Sequence, residues 1–156
     1  MTICIVDTSI LVELLNLPGL ASSHDRLVAE FARRETAREQ FLLPIAVLVE
    51  TGNHVAHIPD GTARRKSADD FVRFAADSLY GQSPFTPTPL PSIPEVTVWL
   101  TGFPDYAMRG MGLADRSLIA LWDVQRQLHP QRRIYIWSLD DALMSYDTRT
   151  TPEEWI

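Results

Sequence analysis

The chain has 156 residues, of which 46% are hydrophobic and 22% charged, a balance that excludes a disordered chain and predicts one globular domain spanning 1–156. With 20 acidic and 14 basic residues the formal net charge is −6, which disfavours binding nucleic acid by extended phosphate neutralisation and leaves open a local site where cations offset acids. The N-terminus lacks a basic leader and is interrupted by Asp7 and Glu13, and no apolar run reaches the roughly 20 residues of a membrane span, so a cytoplasmic chain with no membrane partner is expected.

Ile3-Cys4-Ile5-Val6 is a short apolar run with the pattern of a strand buried on both faces of a parallel sheet. Cys4 is the single cysteine, so no internal disulfide exists, and it reads as a small core residue of a protein in a reducing compartment. The run ends in Asp7-Thr8-Ser9, all able to cap a helix, before Ile10 to Leu15. A carboxylate is thereby placed at the carboxyl end of the first strand, the edge where open α/β sheets bind ligands. At this point a helix cap explains Asp7 equally well.

After a turn at Leu17-Pro18-Gly19, Ser22 or Ser23 is predicted to cap a second helix reaching about Gln40. Leu27, Val28, Phe31 and Ala32 form its apolar stripe, while Arg33, Arg34, Glu35, Arg38 and Glu39 form a solvated face. Phe41 to Leu43 is a minimal strand, and Pro44 suits the start of a helix from Ile45 to about His57, on which Val47, Glu50 and His54 share a face. A further amphipathic helix is predicted from Thr62 to Leu79, with Phe71, Phe74, Ala75 and Leu79 on one side. Arg64, Arg65 and Lys66 form a basic cluster at its start and are the best local candidates for phosphate contact.

Pro84, Pro87, Pro89, Pro91 and Pro94 mark an extended connector with a short strand near Phe85 to Leu90, preferred over a proline-rich ligand for a partner domain. Pro94-Glu95 opens a helix expected to end by Leu100, before Pro104. The most clearly helical stretch is Leu113 to Leu128, with Asp115 in its first turn. Arg133 to Trp137 then reads as a strand followed by Ser138-Leu139-Asp140-Asp141 and a short helix, which repeats the opening order of strand, hydroxyl and carboxylate, helix. This alternation predicts a three-layer α/β/α domain with a mostly parallel central sheet.

Asp7 and Asp140 follow strands, and Glu50 and Asp115 lie early on apolar-faced helices, so the four carboxylates are expected at one sheet edge. Two unit charges about 5 Å apart repel by roughly 3 kcal/mol at an effective dielectric near 20, so such a cluster takes up protons or cations. All-oxygen donors suit Mg²⁺ or Mn²⁺. His54 and His57 follow Glu50, but the Cys or H-E-x-x-H spacing of a zinc site is missing.

This order of strand-Asp7-Thr8-Ser9, helical Glu50, helical Asp115 after a Gly-rich turn, and strand-Ser138-x-Asp140 resembles the PIN-domain (PilT N-terminus) nucleases, in particular the small VapC-type toxins. The resemblance implies that Asp7, Glu50 and Asp115 are the three principal metal-binding acids and that Asp140, or Asp141 beside it, is the fourth. Ser9 would support the first aspartate, with Thr8 adjacent, and Ser138 stands where Thr is usual. The implied activity is Mg²⁺- or Mn²⁺-dependent endoribonucleolytic cleavage of RNA, leaving a 5′-phosphate and a 3′-hydroxyl. The implied setting is the toxin of a type II toxin–antitoxin pair, a homodimer with a small antitoxin partner. Arg64, Arg65, Arg109 and Arg116 would be phosphate contacts, against a surface ion pair as the plain role of Arg116.

Three alternatives compete. A PIN-fold protein could process or bind RNA without a toxin role, since fold does not fix function. A receiver-like domain using a strand-end Asp would want a lysine after its last strand, but the only lysine is Lys66. A dehalogenase-like phosphatase would want a second aspartate where Ser9 stands.

Overall fold

Four short strands, β1 (Ile3–Val6), β2 (Gln40–Leu43), β3 (Phe85–Pro87) and β4 (Ile134–Trp137), form a sheet of order β3-β2-β1-β4 in which every neighbouring pair is parallel. The computed structural model describes residues 1–150. Parallel pairing needs crossovers, and these are helical. Helices α1 (Thr8–Leu14) and α2 (His24–Thr36) join β1 to β2; α3 (Ile45–Ala56) and α4 (Gly61–Leu79) join β2 to β3; α5 (Ile93–Met108) and α6 (Leu113–Leu128) join β3 to β4; and α7 (Asp141–Met144) follows. The sheet expected to be mostly parallel is wholly so among the described residues.

The central strand β1 and its neighbour β4 at the sheet edge are buried at every position, as a sheet covered on both faces requires. Register sets Ile3 against Ile134 and Cys4 against Tyr135, so side chains alternate between two apolar layers. Phe31 of α2, Phe41 and Phe85 pack with ring centroids 5.1–5.6 Å apart. Cys4 is fully buried within this core, and burial pushes its thiol up to about 12, which makes it unreactive. No helix among the described residues is long and apolar enough to cross a membrane.

Several boundaries differ from expectation. The second helix stops at Thr36, short of Gln40, because Arg38 adopts a left-handed φ of 58° and turns the chain into β2. Val28 and Ala32 of its predicted stripe are exposed. Conversely Arg34, assigned to a solvated face, lies over the rings of Trp137 (4.5 Å) and Tyr135 (5.1 Å) and donates to Glu30 and to the Tyr135 hydroxyl. Leu79 is exposed as well. The strand after the first proline covers only Phe85–Pro87.

The largest departure is α5, which runs to Met108 through Pro104. A proline there removes the N–H that would bond the Leu100 carbonyl, but both residues are exposed, so solvent can satisfy that carbonyl. The helix also starts firmly: the Ser92 hydroxyl accepts from Glu95 N (3.3 Å) while the Glu95 carboxylate accepts from Ser92 N (2.6 Å).

Candidate active site at the carboxyl edge of the sheet

Asp7 leaves β1 in extended conformation and caps α1, and its carboxylate is buried with 6% exposure. Its Oδ2 accepts from Ser9 N (3.4 Å), from the Ser9 hydroxyl (2.7 Å) and from the Ser138 hydroxyl at the end of β4 (2.7 Å). The same serines brace the next turn, since Leu139 N donates to Ser9 Oγ (3.0 Å) and Asp140 N to Ser138 Oγ (2.9 Å). Capping and site roles therefore coexist in Asp7: all of these bonds fall on one carboxylate oxygen. Because β1 and β4 are adjacent and parallel, two hydroxyls far apart in sequence orient one acid.

Asp115 sits in the first turn of α6, and its Oδ2 accepts from Gly112 N at 3.0 Å. Burial raises its pKa; the Gly112 N–H opposes this, and the negative charges of Asp7 and Asp140 add to the rise. Glu50, in the second turn of α3, is likewise raised by burial first and then by Asp7, with a smaller contribution from Asp115. Thr8 and His54 act in the opposite direction on Glu50. Asp140, exposed like Asp141, caps α7 through Ala142 N (3.0 Å) and couples to Asp115, whereas Asp141 enters none of these couplings. Asp7 thus lies within electrostatic reach of Glu50 and of Asp115, and Asp115 within reach of Asp140, at one edge of the sheet.

The donor set decides which cation such a site suits. Every acid offers oxygen, and the buried Thr8 hydroxyl beside Glu50 adds one more to the set. His57 is exposed, and its Nδ1 meets the Asn53 carbonyl of its own helix (2.7 Å). Among the described residues no group of three or more His, Cys, Asp or Glu is already arranged to hold a metal ion. The acids interact through space, while Oδ2 of Asp7 and of Asp115 serve as local caps. Oxygen donors spread in this way fit Mg²⁺ or Mn²⁺, because Mg²⁺ keeps several waters and takes only one or two carboxylates directly.

The predicted basic cluster lies elsewhere. Arg64 donates to the Ile58 carbonyl (3.1 Å), Arg65 pairs with Asp69 (3.1 Å) and Lys66 with Asp70 (2.8 Å), all at the start of α4 beyond the far end of α3 from Glu50. Lys66 is thus engaged locally and does not complete a receiver-like site. Arg116 is different. It lines a cavity of about 750 Å³ between α3, α5 and α6, together with Val49, Glu50, Val98, Trp99 and Leu113. Gly102 and Tyr106, which cradle Arg116 from α5, went unnoticed in the sequence reading. The one available signal was a glycine inside a helical pattern, which commonly has a packing reason.

Similarity to solved structures extends over almost the whole chain. FitAcB from Neisseria gonorrhoeae is 16% identical, with 92% of this chain and 91% of that chain aligned at a TM-score of 0.55. The structure of FitAB bound to an IR36 DNA fragment is also 16% identical, covering 92% and 89% at a TM-score of 0.57. VapBC2 from Rickettsia felis, bound to a DNA fragment from their promoter, is 14% identical, covering 88% and 100% at a TM-score of 0.50. No family model and no curated protein matches the sequence. At these identities the likeness establishes the fold, and the PIN-like three-layer architecture expected from the strand-end acids is the architecture of this chain.

Proposed function

We propose that the chain is a Mg²⁺- or Mn²⁺-dependent endoribonuclease acting as the toxin of a toxin–antitoxin pair. The observation that carries the reading is the through-space coupling of Asp7, Glu50, Asp115 and Asp140 at the carboxyl edge of a parallel sheet. The shared fold with the FitAB and VapBC2 complexes supports it. Asp7, Glu50 and Asp115 would hold the cation, with Asp140 completing the site directly or through water. When bound there, the cation supplies a lowered water pKa and neutralisation of charge on the phosphoryl oxygens.

The remaining work falls to the chain itself. Ser9 and Ser138 hold the Asp7 carboxylate in one orientation. Glu50 and Asp115 keep protons to higher pH than free carboxylates, so the cation must compete with protons and its affinity rises with pH. A small antitoxin would seat an apolar segment in the cavity beside Glu50 and so cover the acids. The protein would act in the cytoplasm as a homodimer.

The test is cleavage of tRNA, rRNA and mRNA with and without metal, run beside Asp7→Asn. Cleavage is expected with Mg²⁺ or Mn²⁺ and lost in the variant. Equal cleavage by the variant, or activity indifferent to EDTA, overturns the nuclease assignment. Growth unaffected by expressing the chain alone overturns the toxin role and favours RNA processing.

A further inference from the structure

The four arginines singled out in the sequence separate into two pairs. Arg64 and Arg65 are engaged within their own helix and its leading turn. Arg109 and Arg116 make no ion pair with any carboxylate among the described residues, although Asp115 is the next residue to Arg116. Instead both guanidinium groups lie against one ring, 4.5 Å (Arg109) and 4.9 Å (Arg116) from the centre of Tyr106. Two like charges gathered on one tyrosine, in a chain of net charge −6, form a local site for an anion.

Arg116 is also held in place. Its Nη2 donates to the Val98 carbonyl at 3.2 Å. Its Nε is buried with no partner. The slot exists because residue 102 has no side chain: a Cβ on Gly102 would stand 3.0 Å from Nε and 3.2 Å from Nη2. The guanidinium therefore packs directly on the backbone of α5 at residue 102. The held group lines the same cavity as Glu50.

We propose that Arg116, with Arg109 on the same tyrosine, binds a backbone phosphate of the RNA strand adjoining the bond cut at the acid edge, and that Gly102 and Tyr106 are the residues that position it. This rests on the ribonuclease reading. An arginine suits the task, since its guanidinium stays charged at every working pH and is weakly hydrated, and so pairs readily with phosphate oxygens.

The experiment measures binding of a short fluorescent single-stranded oligoribonucleotide by anisotropy across a salt series, in Mg²⁺, with Asp7→Asn as the background that blocks cleavage. Arg116→Ala, Arg116→Lys, Arg109→Ala and Gly102→Ala are compared with the parent, with melting temperature as a control; kcat and KM are then taken with Asp7 intact. Arg116→Ala is expected to weaken binding about tenfold and to flatten the slope of log affinity against log salt by about 0.7, the value for one phosphate of a single strand. KM should rise at nearly constant kcat. Lysine should restore the slope but not the full affinity, and Gly102→Ala should behave as a milder Arg116→Ala.

An unchanged slope together with a fall of several degrees in melting temperature shows a strut between α5 and α6 and overturns the proposal. So does an unchanged slope with a polyglutamate peptide that binds the parent and not Arg116→Ala, which assigns the arginines to an acidic protein segment. RNA binding with an Arg116-dependent slope but no cleavage by the Asp7 protein in Mg²⁺ or Mn²⁺ removes the nuclease reading and leaves this site standing. A parent that binds no RNA removes both.

Discussion

Two serine hydroxyls on a single oxygen of Asp7 determine how firmly the first acid of the site is held. Supporting hydrogen bonds of this kind are typically worth 10–100-fold in metal affinity or activity. Ser138→Ala removes a donor to Asp7 and the acceptor for Asp140 N, and it should lower the cleavage rate by about that factor. Ser138→Thr keeps the hydroxyl and should recover most of the rate in the same assay. Glu50 carries the opposite energetic sign. Its folded pKa lies above its unfolded value, from burial first and then the charge of Asp7, so the folded state binds the extra proton and stability falls as pH rises through that interval. At neutral pH the charged Glu50 is therefore a cost, limited by solvent screening to about 1 kcal/mol. Glu50→Gln should raise the melting temperature at pH 7 by about 2–4 °C. The gain should vanish below the ordinary carboxylate range, and Mg²⁺ should stabilise the parent more than the variant, both read by thermal melts across pH.

At the scale of elements, Glu13 links α1 to α2. Buried at 3% exposure, its carboxylate accepts from Ser22 N (3.0 Å) and Ser23 N (2.8 Å), just ahead of the first turn of α2. Burial alone would raise its pKa, but these N–H groups outweigh burial and hold it below the usual range. A depressed folded pKa gives stability that is present above the unfolded value and lost as pH falls through the folded one. Glu13→Gln should thus cost about 1.5–3 kcal/mol at neutral pH, and denaturant melts should show the difference closing in acid. Such a link is invisible in sequence, where Glu13 reads as one charge in an apolar helix. What was legible is what local chemistry decides: the buried run before Asp7, the helix over Leu113–Leu128, and the strand-then-acid order at Trp137 to Asp140. What was not legible depended on neighbours. Pro104 was read as a stop, yet α5 continues because its exposed turn lets water serve the freed carbonyl. Arg34 was read as solvated, yet the Trp137 ring of another element receives it. Asp7, Asp115 and Asp140 stood out because each ends or begins an element, whereas Glu50 lies in the second turn of α3; the spacing of the four was not legible, because it depends on how α3 and α6 pack over β1.

On the scale of the whole molecule, the outer face of α5 is the feature left to explain. The helix is rich in apolar residues, yet none of them is buried. Val98 (54% exposed) continues onto Val49 (60%) and Val124 (48%) of the neighbouring helices. Exposed apolar surface of this extent marks an interaction face. A second copy and an antitoxin segment are both expected for this protein, and they differ in one observable: only self-association depends on the concentration of the chain alone. Sedimentation equilibrium of the isolated chain should therefore give a dimer mass that declines on dilution. Val98→Asp places a charge in the middle of the face and should give a monomer at every concentration. Because Val98 is already half exposed, its replacement should leave the melting temperature of the dilute monomer within about 1 °C, as surface substitutions do. A wild-type chain that sediments as a monomer throughout would reject the homodimer and leave the face to the partner, in which case Val98→Asp should release RNA cleavage from antitoxin inhibition.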